Sequence, residues 1–475
     1  MLLRTTVLLL LTCIFASCTV GPDYTPPDLG APEKFDLQEV LDQLNCENRD
    51  KKVSEPLPLN WWEGFSDPVL SQLVESGVKN NYRIASASAR LKGAQANLRL
   101  AGSQDSLSTI AAIDANAEGE LDLGDGDADF DSPLLGSLSL ALPLDIFGRV
   151  TRREEAALAQ LEGARADLRG TILEISSDIT GQYLRLRGNQ RQLALLEESV
   201  ELQERTLHIV RSRYEAGLSP ELDMRRAEAS VENLRAGIPE LRQSLINSRN
   251  ILATLTGKYP GTYEDLLSDN QEIPAYNGAL PDLVPADVLL MRPDVHQAEA
   301  DLKRVVAEIG VARAEFYPFF QLVGQISIGS AGIAGEPIMN LLIGSIGALI
   351  EQVVTDGGAR RANLDIAKAR AEESLADYRQ TLLDAIKEVE DTLSALESSL
   401  DRQRSLEKSV AASKRSFHQA GILYTQGLTS FLDVVDAQRV LAAAQQELAA
   451  ARTEYASQVA NLFRVLGTEI NSKKP

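Results

Sequence analysis

The chain has 475 residues, a hydrophobic fraction of 44%, and 68 Asp and Glu against 47 Lys and Arg, for a formal net charge of -21. Such an acidic balance excludes a nucleic-acid partner, because duplex binding needs a basic surface that displaces counterions. The absence of repeated uncharged apolar runs of ~20 residues excludes a polytopic helical membrane protein, and the hydrophobic fraction is too high for intrinsic disorder. Length alone suggests about three domains, and an aromatic fraction of 5% suits long helices with small residues at their contacts.

Residues 1–17 read as a signal peptide. Arg4 supplies the positive start, and Thr5 to Phe15 is an apolar run too short to span a bilayer. The stretch Phe15-Ala16-Ser17-Cys18 resembles a bacterial lipobox, in which cleavage leaves the Cys as an acylated first residue. With Cys13 lost in the signal and Cys18 acylated, Cys46 has no intramolecular partner, so export comes without a disulfide framework. Residues 18–60 contain many prolines and read as an extended segment.

The rest is one unit written twice. Tyr214-Glu-Ala-Gly217-Leu218-Ser-Pro-Glu-Leu222-Asp223 recurs as Tyr424-Thr-Gln-Gly427-Leu428-Thr-Ser-Phe-Leu432-Asp433 at an offset of 210 residues. The same offset pairs His208 with His418 and Gly257 with Gly467, and an offset of 211 pairs Ile84 with Val295. The copies are expected over 61–260 and 285–475, joined by a linker over 261–284.

Each copy opens with a helical pattern, over 66–104 and 286–315, and then turns to strands. Leu138, Leu140, Leu142 and Leu144 alternate with Ser137, Ser139, Ala141 and Pro143; Ala111, Ile113, Ala115 and Ala117 form a similar row before them. In the second copy Phe320, Leu322, Ile326 and Ile328 alternate with Gln321, Gln325 and Ser327, and a fourth strand is expected over 341–351. Alternating segments of ~10 residues suit outer-membrane strands, yet the smallest such barrels need about eight strands, and an open edge in lipid leaves costly unpaired backbone groups. If these strands cross a membrane, subunits must share one barrel, and a homotrimer with twelve strands is the simplest even solution.

After each strand pair comes a long helix, expected over Arg149–Tyr214 and Arg360–Tyr424. Leu186, Leu193, Val200, Leu207 and Tyr214 keep a heptad spacing, with a second row at Leu195, Leu202 and Ile209. Two adjacent apolar rows let one helix pack on neighbours at both sides, as in a wall of coiled coils. About 65 residues of helix extend about 100 Å, too far for a compact globule. Gly217 and Gly427 break these helices, Pro220 after Ser219 suits a capped helix start, and Gly257 and Gly467 suit C-terminal caps.

Together these features resemble the outer membrane efflux protein family, the TolC-type channel-tunnels, over nearly the whole mature chain. Val20-Gly21-Pro22-Asp23-Tyr24 and Trp61-Trp62-x-x-Phe65-x-Asp67-Pro68-x-Leu70 are similar to its lipidated branch, which serves resistance-nodulation-division (RND) pumps. So are Arg292-Pro293-Asp294-Val295-x-x-Ala298-Glu299, Ile309-Gly310-Val311-Ala312-Arg313-Ala314 and Tyr317-Pro318. Val354-Thr355-Asp356-Gly357-Gly358 departs from the family's Pro-Leu-Phe-Asp-Gly-Gly. The resemblance implies a mainly α chain with four transmembrane strands, completed as a trimer. Its helical tunnel would stand in the periplasm and dock on a periplasmic adaptor and an inner-membrane RND pump. A passive duct in the outer membrane lipid needs no catalytic residue, cofactor or metal.

The resemblance also assigns sites. Asp433 and Asp436, three apart on one helix face, imply an acidic ring at a periplasmic gate; an Asp near a helix N-terminus also serves the helix dipole. Asp223 and Tyr424 match positions that bridge neighbouring hairpins in a closed state, while Thr429 stands where some members carry an Arg. Gly217, Leu218 and Ser219, with Gly427, Leu428 and Thr429, resemble adaptor-docking tips; they are also plain helix–helix turns. His208 and His418 read as ordinary packed or solvated side chains. The seven acidic residues from Glu118 to Asp131 read as a solvated external loop, since Phe130 and Gly136 break the calcium-loop pattern that Asp125, Asp127 and Asp129 suggest. A type I protein secretion channel and an envelope-spanning coiled-coil lipoprotein are the competing functions; only a channel accounts for duplicated alternating strands.

Overall fold

A computed structural model describes residues 19–27, 60–115, 118–121, 128–131, 134–268, 272–278, 280, 291–333 and 336–467. The expected signal peptide, Cys18, Cys46 and most of the proline-rich segment lie outside these residues. The elements are a 3-10 turn (Trp61–Phe65), α1 (Pro68–Asn80), α2 (Tyr82–Ser103), β1 (Ser108–Ala115), β2 (Glu118–Leu121), β3 (Ala128–Asp131), β4 (Leu134–Leu144), α3 (Arg149–Glu215) and α4 (Glu221–Leu255). They continue with α5 (Pro293–Ala314), β5 (Phe319–Ile333), β6 (Glu336–Glu351), α6 (Ala359–Thr425) and α7 (Phe431–Val465). The long helices α3 and α6 each have 67 residues, and the returning helices α4 and α7 each have 35.

Three expectations change. The helix over 66–104 is broken at Asn81, whose backbone is extended. Its side chain accepts from Arg83 N at 2.7 Å and donates to Leu255 O at 2.7 Å, so it ends one helix, starts the next and ties both to α4. The acidic loop contains a hairpin instead, with β2 and β3 pairing Glu118 opposite Asp131 and Glu120 opposite Asp129. Acid at every second position is also the period of a strand. The fourth strand starts at Glu336, not near Leu341.

The chain divides into two compact units, each built from both halves of the sequence. The first holds Met1–Asp28, Arg90–Arg165 and Gln297–Arg379. Its centre is an antiparallel sheet in the order β1-β4-β5-β6. The register aligns Ala111, Leu138 and Ile326, then Leu142, Leu322 and Ala348, on one face. The other face carries Ser139, Gln325 and Ser345. The apolar face has no cover: Ile346 is 93% exposed.

The N-terminal strap, residues 19–27, closes this unit. Val20 N donates to Phe147 O at 3.2 Å, and buried Arg152 pairs with Asp23 at 2.7 Å and Glu155 at 2.7 Å. The strap passes so near α5 that a Cβ on Gly21 would come within 2.5 Å of Gly310 Cα. Tyr24 Oη donates to Glu299 at 3.1 Å; burial, and then the Glu299 charge, push its phenol well above the usual range. Two motifs far apart in sequence, Val20–Tyr24 and Ile309–Ala314, are therefore one contact.

The second unit holds Leu29–Ala89, Ala166–His296 and Gln380–Pro475. Trp61 stacks on Phe463 at 5.3 Å, and Tyr276 packs between Phe65 and Phe463. Asp67 caps α1 through Val69 N and accepts from Tyr183 Oη, which itself accepts from fully buried Arg187. The heptad residues Leu186 and Val200 of α3 and Leu396 of α6 are buried in this core, as the apolar rows require. Arg292 pairs with Asp294 and Glu388 and donates to Val465 O at 2.8 Å, closing the end of α7.

Candidate functional site

The sites assigned from sequence gather mainly at the two helix–helix turns of the second unit. Both turns are built alike. Leu218 N donates to Arg213 O at 2.8 Å and Gly217 N to Tyr214 O at 2.9 Å; Leu428 N donates to Leu423 O at 2.9 Å and Gly427 N to Tyr424 O at 3.0 Å. This double bond pattern is a Schellman motif, which needs a left-handed residue. Gly217 (φ 72) and Gly427 (φ 74) supply it at no steric cost. Each turn leaves two leucines in water: Leu218 and Leu428 are 70% exposed, Leu222 56% and Leu432 57%.

The returning helices start differently. At α7, Ser430 is the N-cap and forms a capping box with Asp433. The Asp433 carboxylate accepts from Thr429 Oγ1 at 2.5 Å, Ser430 Oγ at 2.7 Å and Ser430 N at 3.0 Å. These bonds, that from Thr429 first, hold its pKa below the usual carboxylate range, so it stays charged. At α4 the N-cap is Pro220, not Ser219, and has no side-chain cap. Ser219 Oγ instead donates to Asp223 Oδ2 at 3.2 Å. Asp436 pairs with Arg439 at 2.7 Å.

Tyr424 is half-buried, against Phe431 at 5.9 Å and beside the buried cluster of Val210, Met224 and Ala227. Burial raises its phenol pKa; the Asp223 charge adds to this and the Arg213 charge opposes it. The Asp223 carboxylate itself turns to Ser219, so the two expected gate residues meet through charge, while the Tyr424 ring is covered by the Arg213 guanidinium at 4.8 Å. Arg213 was invisible in the pattern because its partner lies over 200 residues away. His208 and His418 are both exposed. Among the described residues no helix is long and apolar enough to cross a membrane, and no cluster of three metal-binding side chains occurs.

The chain thus combines long helices joined by tight glycine turns with a small antiparallel sheet whose apolar face is bare. The outer membrane efflux protein family matches residues 73–258 and again 284–468, and the chain belongs to that family. Its members are channels rather than enzymes. The chain is 31% identical over 462 residues to nodulation protein T of Rhizobium leguminosarum bv. trifolii, covering 96% of each. It is 28% identical over 466 residues to the toluene efflux pump outer membrane protein TtgF of Pseudomonas putida, covering 96% of this chain and 95% of the other. The solved outer-membrane channel OprN superposes with a TM-score of 0.86 at 31% identity, covering 95% of this chain and all of that one.

Proposed function

We propose that the chain is one third of a passive exit duct for drugs and other small molecules. Three copies close a twelve-stranded barrel in the outer membrane, with Cys18 acylated after removal of residues 1–17. The helical hairpins form the periplasmic tunnel of a tripartite system with an adaptor and an inner-membrane RND pump.

One observation carries this reading. Among the described residues the four-stranded sheet ends in two edge strands, β1 and β6, each paired on one side only, with an uncovered apolar face. In lipid each unsatisfied backbone group costs several kcal/mol, so the edges need partners. Identical neighbours supply them, and three times four strands exceeds the minimum of about eight. Kinship with a toluene efflux component supports small cargo over protein.

In this duct Gly217, Leu218, Ser219, Gly427, Leu428 and Thr429 dock the adaptor. Asp433 and Asp436 repeat around the three-fold axis as a cation-favouring ring, and Asp223 and Tyr424 belong to the closed gate. In cells lacking the gene, restored dye efflux, together with a heat-resistant trimer carrying a β signal in circular dichroism, is the expected result. A coiled-coil spacer would give helical signal and no dye efflux. Gly427→Trp is expected to abolish efflux while leaving the trimer intact; normal efflux removes the docking role.

A further inference from the structure

We propose that Arg213 is the latch between the two hairpins of each chain, and that it acts on the ring of Tyr424 rather than on its hydroxyl. This rests on the duct reading and names how its closed end is held. Arg213 ends the long helix of the first copy and Tyr424 that of the second, so their contact joins the two turns. The guanidinium carbon sits 4.8 Å from the ring centroid. The Arg213 Nε is buried and has no hydrogen-bond partner. A buried guanidinium N–H without an acceptor is costly, and the electron-rich ring face is what compensates it here. The ring also packs against Phe431, with centroids 5.9 Å apart.

The neighbouring groups leave this role to Arg213. Thr429 is uncharged and spends its hydroxyl on Asp433, and Asp223 accepts from Ser219 within its own turn. Duplication sharpens the point. The offset of 210 places Leu423 at the position of Arg213 and Tyr214 at that of Tyr424. The reciprocal pair therefore lacks a charge, and both residues are open to solvent, Tyr214 at 37% and Leu423 at 42%. The latch is one-sided. It binds the two hairpins of one subunit to each other, and the seams between subunits, where Tyr214 and Leu423 remain available, are the looser ones.

The test uses the full-length trimer in detergent and in planar bilayers. Amide hydrogen exchange across the turns, 205–225 and 415–435, is read beside single-channel conductance. A cation–π contact of this exposure corresponds to an exchange acceleration of about two- to fivefold when lost. Arg213→Gln and Tyr424→Leu are each expected to give that acceleration and a higher conductance, and the double variant no more than either alone. Tyr424→Phe keeps the ring and is expected to match the wild type. If Tyr424→Phe behaves like Tyr424→Leu, or if the Arg213→Gln and Tyr424→Leu effects simply add, the latch is overturned. Exchange is read whether or not current flows, so a wild-type trimer that never conducts removes the duct reading and still decides the latch. Leu423→Arg is expected to tighten the seams between subunits and lower conductance; no change would overturn the one-sidedness.

Discussion

Where the returning helix of the first copy ends, Asn81 donates to the Leu255 carbonyl; where that of the second ends, Arg292 donates to Val465. The two residues are 211 apart, the offset that relates the copies at this point. Asn81 works as a neutral amide. Arg292 brings a charge and holds it with Asp294 and Glu388. A similar contrast recurs elsewhere. Asp145 caps α3 through Thr151 N, and Asp356 caps α6 through Arg360 N. Gly148 (φ 76) and Gly358 (φ 93) precede those helices, but only Gly148 has the strap residue Thr19 pressed on it. Duplication has kept the backbone devices, because a left-handed turn accepts little besides glycine. It has freed the side chains, because a carbonyl accepts from any donor that reaches it.

The largest effect separates α4 from α7. Pro239 lies inside α4, and the same position in α7 is Ala449, 4% exposed. Ala449→Pro is expected to cost about 3 kcal/mol or more, since the ring removes one helix bond and clashes with the preceding turn. Thermal unfolding followed by circular dichroism measures it, and an unchanged midpoint would show that α7 accepts the same break as α4. Next come the two clamps. Arg292→Ala should cost about 2–3 kcal/mol, for it leaves two carboxylates and a carbonyl without their donor; Asn81→Ala should cost about 1 kcal/mol. Equal losses would mean that the charge adds nothing. The smallest contrast is Gly148→Ala against Gly358→Ala. Each carries about 1–2 kcal/mol of left-handed strain, but only a Cβ at Gly148 would come within 2.5 Å of Thr19 Cγ2. Limited proteolysis within residues 19–27 should therefore rise in Gly148→Ala alone; a rise in both variants would dissociate the strap from Gly148.

Periodic features are legible in the sequence. The heptad of Leu186 to Tyr214 located α3, and the alternating leucines of β4 located the apolar face of the sheet. The glycines marked both turns and both helix ends. The division at Asn81 was not legible, since the apolar spacing continues through it and the break depends on a carbonyl 174 residues away. The β2–β3 hairpin was masked by its acid content, which weighs against a strand more strongly than period two weighs for it. Arg152 and Arg213 carried no local signature, and Arg292, though it opens a recognisable motif, showed no sign there of what it holds. Each is a charge whose meaning comes from a partner on a distant segment: Asp23, Tyr424 and Glu388.

The strand β6 has 16 residues and, at 342–351, no buried side chain. Its outer edge and its apolar face are both attractive to any other β-strand, including another copy in the wrong register. In the three-copy duct proposed above, the hazardous interval is the passage from export to assembly, when each copy travels alone in water. On that proposal, yield is governed by how fast copies find each other and the bilayer, not by how stable the finished barrel is. Overproduction lengthens that search for every chain, and the first material lost will be protein whose long helices are already correctly folded.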